Sequence, residues 1–404
     1  MNKFVIIGLV ILGLFGILWF IEQRTNVLQS PVEKGQEVRL FLSEEKNEKV
    51  ESVEMTIEKK KDTQFVIETV VAGLDTPWSM VFTSPNRILV TERMGKLRMV
   101  EDGKLLPEPL HVFSEVSEEG EEGLLSLALD PEYSKNQFLY VVLAYPEGSV
   151  YFDKVMRFHD DGRTLSDQKV LIDRIPAAKF HAGSRIAFGP DGRLYITTGD
   201  ATEKNRAQDK NSLAGKILRI EKDGSIPTDN PFSGSPVWSL GHRNPQGIAW
   251  HPDNGRMYET EHGPSGFDGA GGGDEVNLIE KGGNYGWPIV SHDKTREGMI
   301  TPLIQFTPAE APASLLIYSG RQFPEWRGNL FFGALKGEGL MRLQTEAIDP
   351  KRIQTYEKLK EVDFGRIRDV IEGPDGFIYF TTSNRDGRGT PAVDDDRIFR
   401  IRPG

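Results

Sequence analysis

The residue types best suited to chemistry begin in two loops of one stretch. Gly241-His242-Arg243-Asn244-Pro245-Gln246-Gly247 places a cation and two amides where Pro and Gly forbid regular structure. Glu261-His262-Gly263-Pro264 follows and leads into the glycine-rich run from Gly266 to Gly273, closed by Asp274-Glu275. Other loops carry His181 in Lys179-Phe180-His181-Ala182-Gly183-Ser184, Lys336 after Phe331-Phe332-Gly333-Ala334-Leu335, and Arg366 and Arg368 on either side of Ile367. Alternation along a strand sends residues 366 and 368 to the same face. Each cation taken singly is an ordinary solvated charge. As a set they are what a flat polyanion requires, because a guanidinium offers paired donors to a carboxylate. A histidine titrating near neutral pH is suited to accept a proton beside it.

Several chemistries are excluded. The chain of 404 residues has no cysteine, so disulfides, thiolate nucleophiles and cysteine-ligated metals are absent. The formal net charge of −11 argues against nucleic-acid binding, which calls for a basic stripe, and leaves any anionic ligand to a local basic pocket. No Gly-x-Ser-x-Gly elbow, His-Glu-x-x-His pair or Walker loop occurs. The run Gly269 to Gly273 lacks the Lys of a phosphate loop and reads as a flexible connection.

The elements that must position these loops form a repeat. An apolar strand, a Pro-marked turn and a second apolar strand recur, with the prolines at 85, 131, 190, 252, 324 and 374. Spacings of roughly 50 to 70 residues, six times over, mark a radial repeat architecture. Each unit alone would expose an apolar face, and arranging six of them in a ring buries those faces. With 42 Gly, 24 Pro and few long amphipathic patterns, the expectation is an all-β protein, a six-bladed β-propeller of four-stranded antiparallel blades over residues 64–404.

Ahead of it, Phe4 to Ile21 is free of charge and follows Lys3. As a helix it would be about 27 Å long, enough to cross a bilayer core. Residues 1–22 are therefore expected to be an N-terminal hydrophobic helix, a membrane anchor or a signal segment, that places the rest outside the cytoplasm. Residues 23–63 are charge-rich and read as a polar linker.

The ordered set of motifs resembles the soluble quinoprotein sugar dehydrogenases, aldose dehydrogenases that use pyrroloquinoline quinone (PQQ). The matching stretches are Gly120-Glu121-Glu122-Gly123-Leu124-Leu125, His181-Ala182-Gly183, the loop Gly241 to Gly247, Glu261-His262-Gly263-Pro264, Gly273-Asp274-Glu275-Val276-Asn277, Asn284-Tyr285-Gly286-Trp287-Pro288, Gly333-Ala334-Leu335-Lys336 and Arg366-Ile367-Arg368-Asp369-Val370. The resemblance implies the same propeller fold. It implies that His181 takes the proton from a sugar's anomeric hydroxyl while hydride passes to PQQ, and that Arg243 stabilises the developing oxyanion with Asn244 beside it. Lys336, Arg366 and Arg368 would hold the cofactor's carboxylates and carbonyls, and the Gly263 and Pro264 carbonyls would bind calcium. Asp274 and Glu275 would hold a second calcium or brace the loop. Glu121 stands where the family commonly has Gln, so an acid enters a cofactor-binding position. The implied partners are a small sugar, an unidentified electron acceptor and, through the N-terminal segment, the membrane. A calcium-dependent propeller lactonase and a non-catalytic binding propeller are the alternatives. The cationic lining argues against the first and the intact His181 and arginines against the second.

Overall fold

The computed structural model describes residues 37–40, 63–346 and 351–404. The hydrophobic segment 1–22 lies outside them, and among the described residues no helix is long and apolar enough to cross a membrane.

Six antiparallel sheets are arranged as blades. Their innermost strands are Pro77–Ser84, Leu124–Leu129, Gly183–Phe188, Pro245–Trp250, Pro312–Ile317 and Ile367–Glu372. Each packs on the next and the last returns to the first, which closes the ring. Blades 1 to 6 are named for these strands in order. The six turn prolines of the repeat all lie between a blade's first strand and its second, as in Pro190, between Gly183–Phe188 and Leu194–Thr198.

A blade buried on both faces reads as a continuous apolar run rather than an alternating one. Leu139 to Ala144 of blade 2 is buried at every position for this reason. Six apolar clusters fill the spaces between neighbouring blades. One joins Leu89 and Leu97 of blade 1 to Leu124 and Val141 of blade 2. The last joins Tyr379 and Ile398 of blade 6 to Met80 and Ile88 of blade 1.

The ring closes by chain ends. Blade 6 takes three strands from the C-terminal part and its fourth, Phe65–Val71, from the start of the propeller, paired antiparallel with Ile398–Pro403. Blade 4 carries a fifth strand, Glu37–Leu40, paired with Ile304–Thr307. That strand falls inside the stretch read as a polar linker.

Strand direction decides where a site can form. Connections entering a first strand, and connections from second to third strands, lie at one end of the ring, whereas the Pro turns lie at the other. The motif loops before Gly183, Pro245 and Ile367, and those after Thr198, Glu261 and Ala334, therefore share one end.

Because Phe65–Val71 is the clasp between first and last blades, deleting it should open the ring. The expected result is a fall in Tm of about 10 °C or more, or loss of a cooperative transition, measured by calorimetry against the full chain. An unchanged transition would mean that blade 6 is complete without it.

Candidate active site

A cavity of about 580 Å³ opens at that end, and all six blades line it. It contains Glu121, His181, Arg243, Asn244, Gly263, Pro264, Asp274, Lys336, Arg366 and Arg368 of the expected set. Glu275 is the one expected residue outside it. The cavity also holds Trp78, Phe180, His262, Phe267 and Arg388, none of which had been given a role.

His181 is 4% exposed and held at three points. Its Nδ1 lies 2.7 Å from Asp200 Oδ1 and its Nε2 lies 2.8 Å from Arg243 Nη2. A guanidinium can only donate, and a carboxylate accepts, so Nδ1 carries the proton and Nε2 presents its lone pair. Its backbone N–H donates to Glu121 Oε2 at 3.1 Å. The residue adopts φ +63, a left-handed conformation uncommon for a side chain with a Cβ. Gly199 makes the approach possible: a Cβ there would meet the His181 carbonyl at 1.7 Å. The next residue, Asp200, also accepts from Trp287 Nε1 at 2.8 Å, so it is fixed as it orients the imidazole. Sequence reasoning missed Asp200. The only sign was a Gly-Asp pair ending a strand.

The second imidazole of the cavity is different. His262 Nε2 donates to the Pro312 carbonyl at 3.0 Å. Burial, together with the charges of Arg243 and Arg368, outweighs Glu121 and pushes its pKa down to about 3. It is neutral at neutral pH and too weak a base to take a proton there. The candidate base is His181.

The cations are not equivalent. Arg366 donates from Nε and Nη2 to Asp386 Oδ2, at 2.9 and 2.6 Å, and is neutralised within the protein. Lys336 is exposed at the rim and, among the described residues, forms no ion pair. Arg368 is 9% exposed, bonds Gln246 Oε1 at 3.0 Å and lies over Trp78 at 5.5 Å. Among the described residues no carboxylate pairs with it, and its Nε has no hydrogen-bond partner. Burial, reinforced by Arg366, pushes its pKa down to about 9 although Asp386 and Glu121 favour its charge. Asn244 adds a second unpartnered donor. Its Oδ1 accepts from the Gly183 N–H and from Gln246 Nε2, both at 3.0 Å, which leaves Nδ2 free. A buried guanidinium and a buried amide, both with spare N–H groups in one cavity, fit an anionic ligand rich in acceptors.

Glu121 faces this field as an ionised acid. Its Oε1 accepts from Arg388 Nη1 at 2.8 Å. Burial alone would raise its pKa, but His262, Arg388 and the His181 N–H bring it down to about 2. With His262 neutral at neutral pH, the charge acting there is that of Arg388. The acid is compensated from within rather than left to repel a ligand.

The acidic pair after the glycine run divides. Asp274 accepts from the Gly263 N–H at 2.8 Å and the Ala311 N–H at 2.6 Å, which fixes the loop and turns both of its oxygens to backbone. Glu275 accepts from Gln305 and Asn277 in a separate buried cluster behind the cavity. There His242, Glu259 and Glu261 bring one ligand atom each within 4.8 Å of one another. Among the described residues, Glu259 Oε1, His242 Nδ1 and Asn277 Oδ1 have no hydrogen-bond partner, although His242 Nδ1 lies 3.5 Å from Glu261 Oε1. Burial raises Glu259 well above the usual carboxylate range and Glu275 to about 8.

Comparison with known proteins gives the family. The family model for glucose / sorbosone dehydrogenases matches residues 74–391. The aldose sugar dehydrogenase YliI of Escherichia coli is 32% identical, over 80% of this chain and 91% of its own. An oxidoreductase (glucose dehydrogenase) of Thermus thermophilus superposes with a TM-score of 0.77 at 41% identity, covering 84% of this chain and 100% of its own. The PQQ-bound aldose sugar dehydrogenase of Streptomyces coelicolor superposes with a TM-score of 0.74 at 32% identity, covering 84% and 98%.

The depressed pKa of Glu121 gives a stability prediction. A carboxyl at about 2 when folded and near its ordinary 4.5 when unfolded stabilises the fold above pH 4.5. That contribution is lost as the pH falls from 4.5 towards 2. The Tm difference between the natural chain and Glu121→Gln should therefore shrink over this window. A difference that stays constant would show that the carboxylate is not held by Arg388.

Proposed function

The chain belongs to the glucose/sorbosone dehydrogenase family, and from that premise we propose how its cavity works. It is an oxidoreductase acting on CH–OH groups of aldose sugars, with PQQ as cofactor. One observation carries the residue assignment. The buried Arg368, with no ion-pair partner among the described residues, and the unpartnered Asn244 amide share a cavity with the oriented His181–Asp200 pair.

PQQ, when bound, supplies the acceptor for the two electrons leaving the sugar. Arg368 and Lys336 would bind its acidic groups, and Asn244 Nδ2 a ring acceptor. Arg366, already paired with Asp386, shapes the wall and adds less charge. His181 Nε2 would take the proton of the anomeric hydroxyl. Asp200 would hold the ring in the required tautomer and stabilise the imidazolium once it forms. Arg243, beside His181, would set positive charge where negative charge develops. Oxidation at the anomeric carbon yields a lactone.

Calcium is part of the proposal. The Gly263 and Pro264 carbonyls would be the hard oxygen donors, the Pro264 carbonyl also accepting from the Gly272 N–H at 3.2 Å, and Asp274 supports the reading by fixing Gly263 rather than by offering a free oxygen. Beside Glu275, the Glu259 and Glu261 carboxylates are the oxygen donors a second calcium would need, and Glu259 Oε1 and Asn277 Oδ1 are orphaned oxygens that it would satisfy. An extracytoplasmic setting, anchored or secreted, rests on the uncharged run Phe4 to Ile21.

Two measurements test the reading. With PQQ, Ca²⁺, an aldose and an acceptor dye, the natural chain should reduce dye only when PQQ is present. His181→Ala should lower kcat/KM by about 10² to 10⁴-fold while PQQ still binds. Asp200→Asn should lower kcat in the same direction, because the ring would lose the partner that fixes its tautomer. PQQ-independent lactone hydrolysis would instead support the hydrolase alternative. Separately, Arg368→Gln should weaken PQQ binding by about 30-fold or more in a calorimetric titration. Unchanged affinity would remove Arg368 from the site.

A further inference from the structure

Arg243 has almost no hydrogen-bonding capacity left. A guanidinium carries five N–H groups. Here Nε donates to Asp268 Oδ2 at 2.7 Å, Nη1 to the His262 carbonyl at 3.1 Å, and Nη2 to both His181 Nε2 at 2.8 Å and Ser265 Oγ at 2.9 Å. Two of these contacts come from one short segment of the glycine-rich loop. Asp268 is also tied back to the loop, its Oδ1 accepting from the Ser265 N–H at 2.9 Å. Between them Phe267 stacks on His181, with ring centroids 5.6 Å apart and planes at 23°. It does so while 65% exposed, so solvent-driven burial does not hold it in place. Positive φ at Gly266 (+92), Gly272 (+99) and Gly273 (+71) places glycine at both ends of the segment, where the backbone is free to turn.

The consequence is that both groups assigned to chemistry are occupied by the protein itself. The Arg243 charge is neutralised by Asp268, and the His181 lone pair accepts from Arg243. Burial works against the ionised Asp268, yet Arg243 holds its pKa below the ordinary value. A cofactor carrying several negative charges cannot share Arg243 with a carboxylate without like-charge repulsion.

We propose that Ser265–Asp268 form an internal clasp: the Asp268 carboxylate occupies Arg243 in place of an anionic ligand oxygen, Phe267 covers His181, and PQQ binding requires exchange of this clasp for the cofactor. The inference rests on the PQQ reading above. Asp268 acts through Arg243 and is a positioning residue. It lowers apparent cofactor affinity, because each binding event must first release an intramolecular competitor.

The test is a PQQ titration in the presence of Ca²⁺, followed by calorimetry, on the natural chain, Asp268→Asn, Asp268→Glu and Ser265→Ala. Hydrogen exchange of the segment 263–273 is measured in each with and without PQQ. Asp268→Asn should bind PQQ about tenfold more tightly, Ser265→Ala should move the same way by less, and Asp268→Glu should restore natural affinity. Exchange in 263–273 should rise when PQQ is added to the natural chain and be raised already in Asp268→Asn without it. Unchanged or weaker affinity in Asp268→Asn and Ser265→Ala, with the segment's exchange unaltered, would overturn the clasp and leave PQQ binding by the natural chain intact. Failure of every chain to bind PQQ would overturn the cofactor reading and the clasp with it.

Discussion

A guanidinium buried in a cavity, with no carboxylate bonded to it among the described residues, is the constraint around which the site is built. Placing the Arg368 charge there is unfavourable, and the protein offsets only part of the cost, through the Gln246 amide and the face of Trp78. Trp78 also lies under Arg185, at 4.3 Å, whose charge is met by Asp369 at 3.1 Å. Two arginines therefore meet one indole, and only one of them is paired. The unpaired one faces the cavity. Such an arrangement persists when a ligand supplies the missing charge.

The same field separates the two histidines. Both are in the cavity and both are buried or nearly so. His262, near Arg243 and Arg368, is driven towards neutrality and has its Nε2 proton fixed on a carbonyl. His181 faces Asp200, which holds the opposite tautomer and turns the Nε2 lone pair to Arg243. A propeller delivers this discrimination cheaply in chain length. Each blade sends its entry loop to the same end, so residues from positions 78 to 388 converge on one cavity.

Much of the scaffold was legible because it is local. A turn proline between two apolar runs is a short-range signal, and all six fall in the turn between a first and second strand. The closing strand Phe65–Val71 was not, because its partner Ile398–Pro403 is more than three hundred residues away and nothing in either segment names the other. In the site, motif residues reached the cavity but their differences stayed hidden. Arg366 and Arg368 share a face by alternation, yet Asp386, on a distant loop, neutralises only one. Glu121 stood out as an acid in a cofactor-binding position, but its partner Arg388, from a distant loop of blade 6, could not be named. The glycine run read as a featureless connection, and its single acid proved to be the partner of Arg243. Asp274 and Glu275 are adjacent in sequence but face different surroundings, as neighbours on a strand must.

The most direct measurement is a crystal structure of this chain grown with PQQ and Ca²⁺. The account predicts a planar density in the cavity, with acceptor atoms within hydrogen-bond distance of Arg368 Nε and Asn244 Nδ2 and one face open towards His181. Density at another place on the propeller, or in the cavity but out of reach of Arg368, would contradict it.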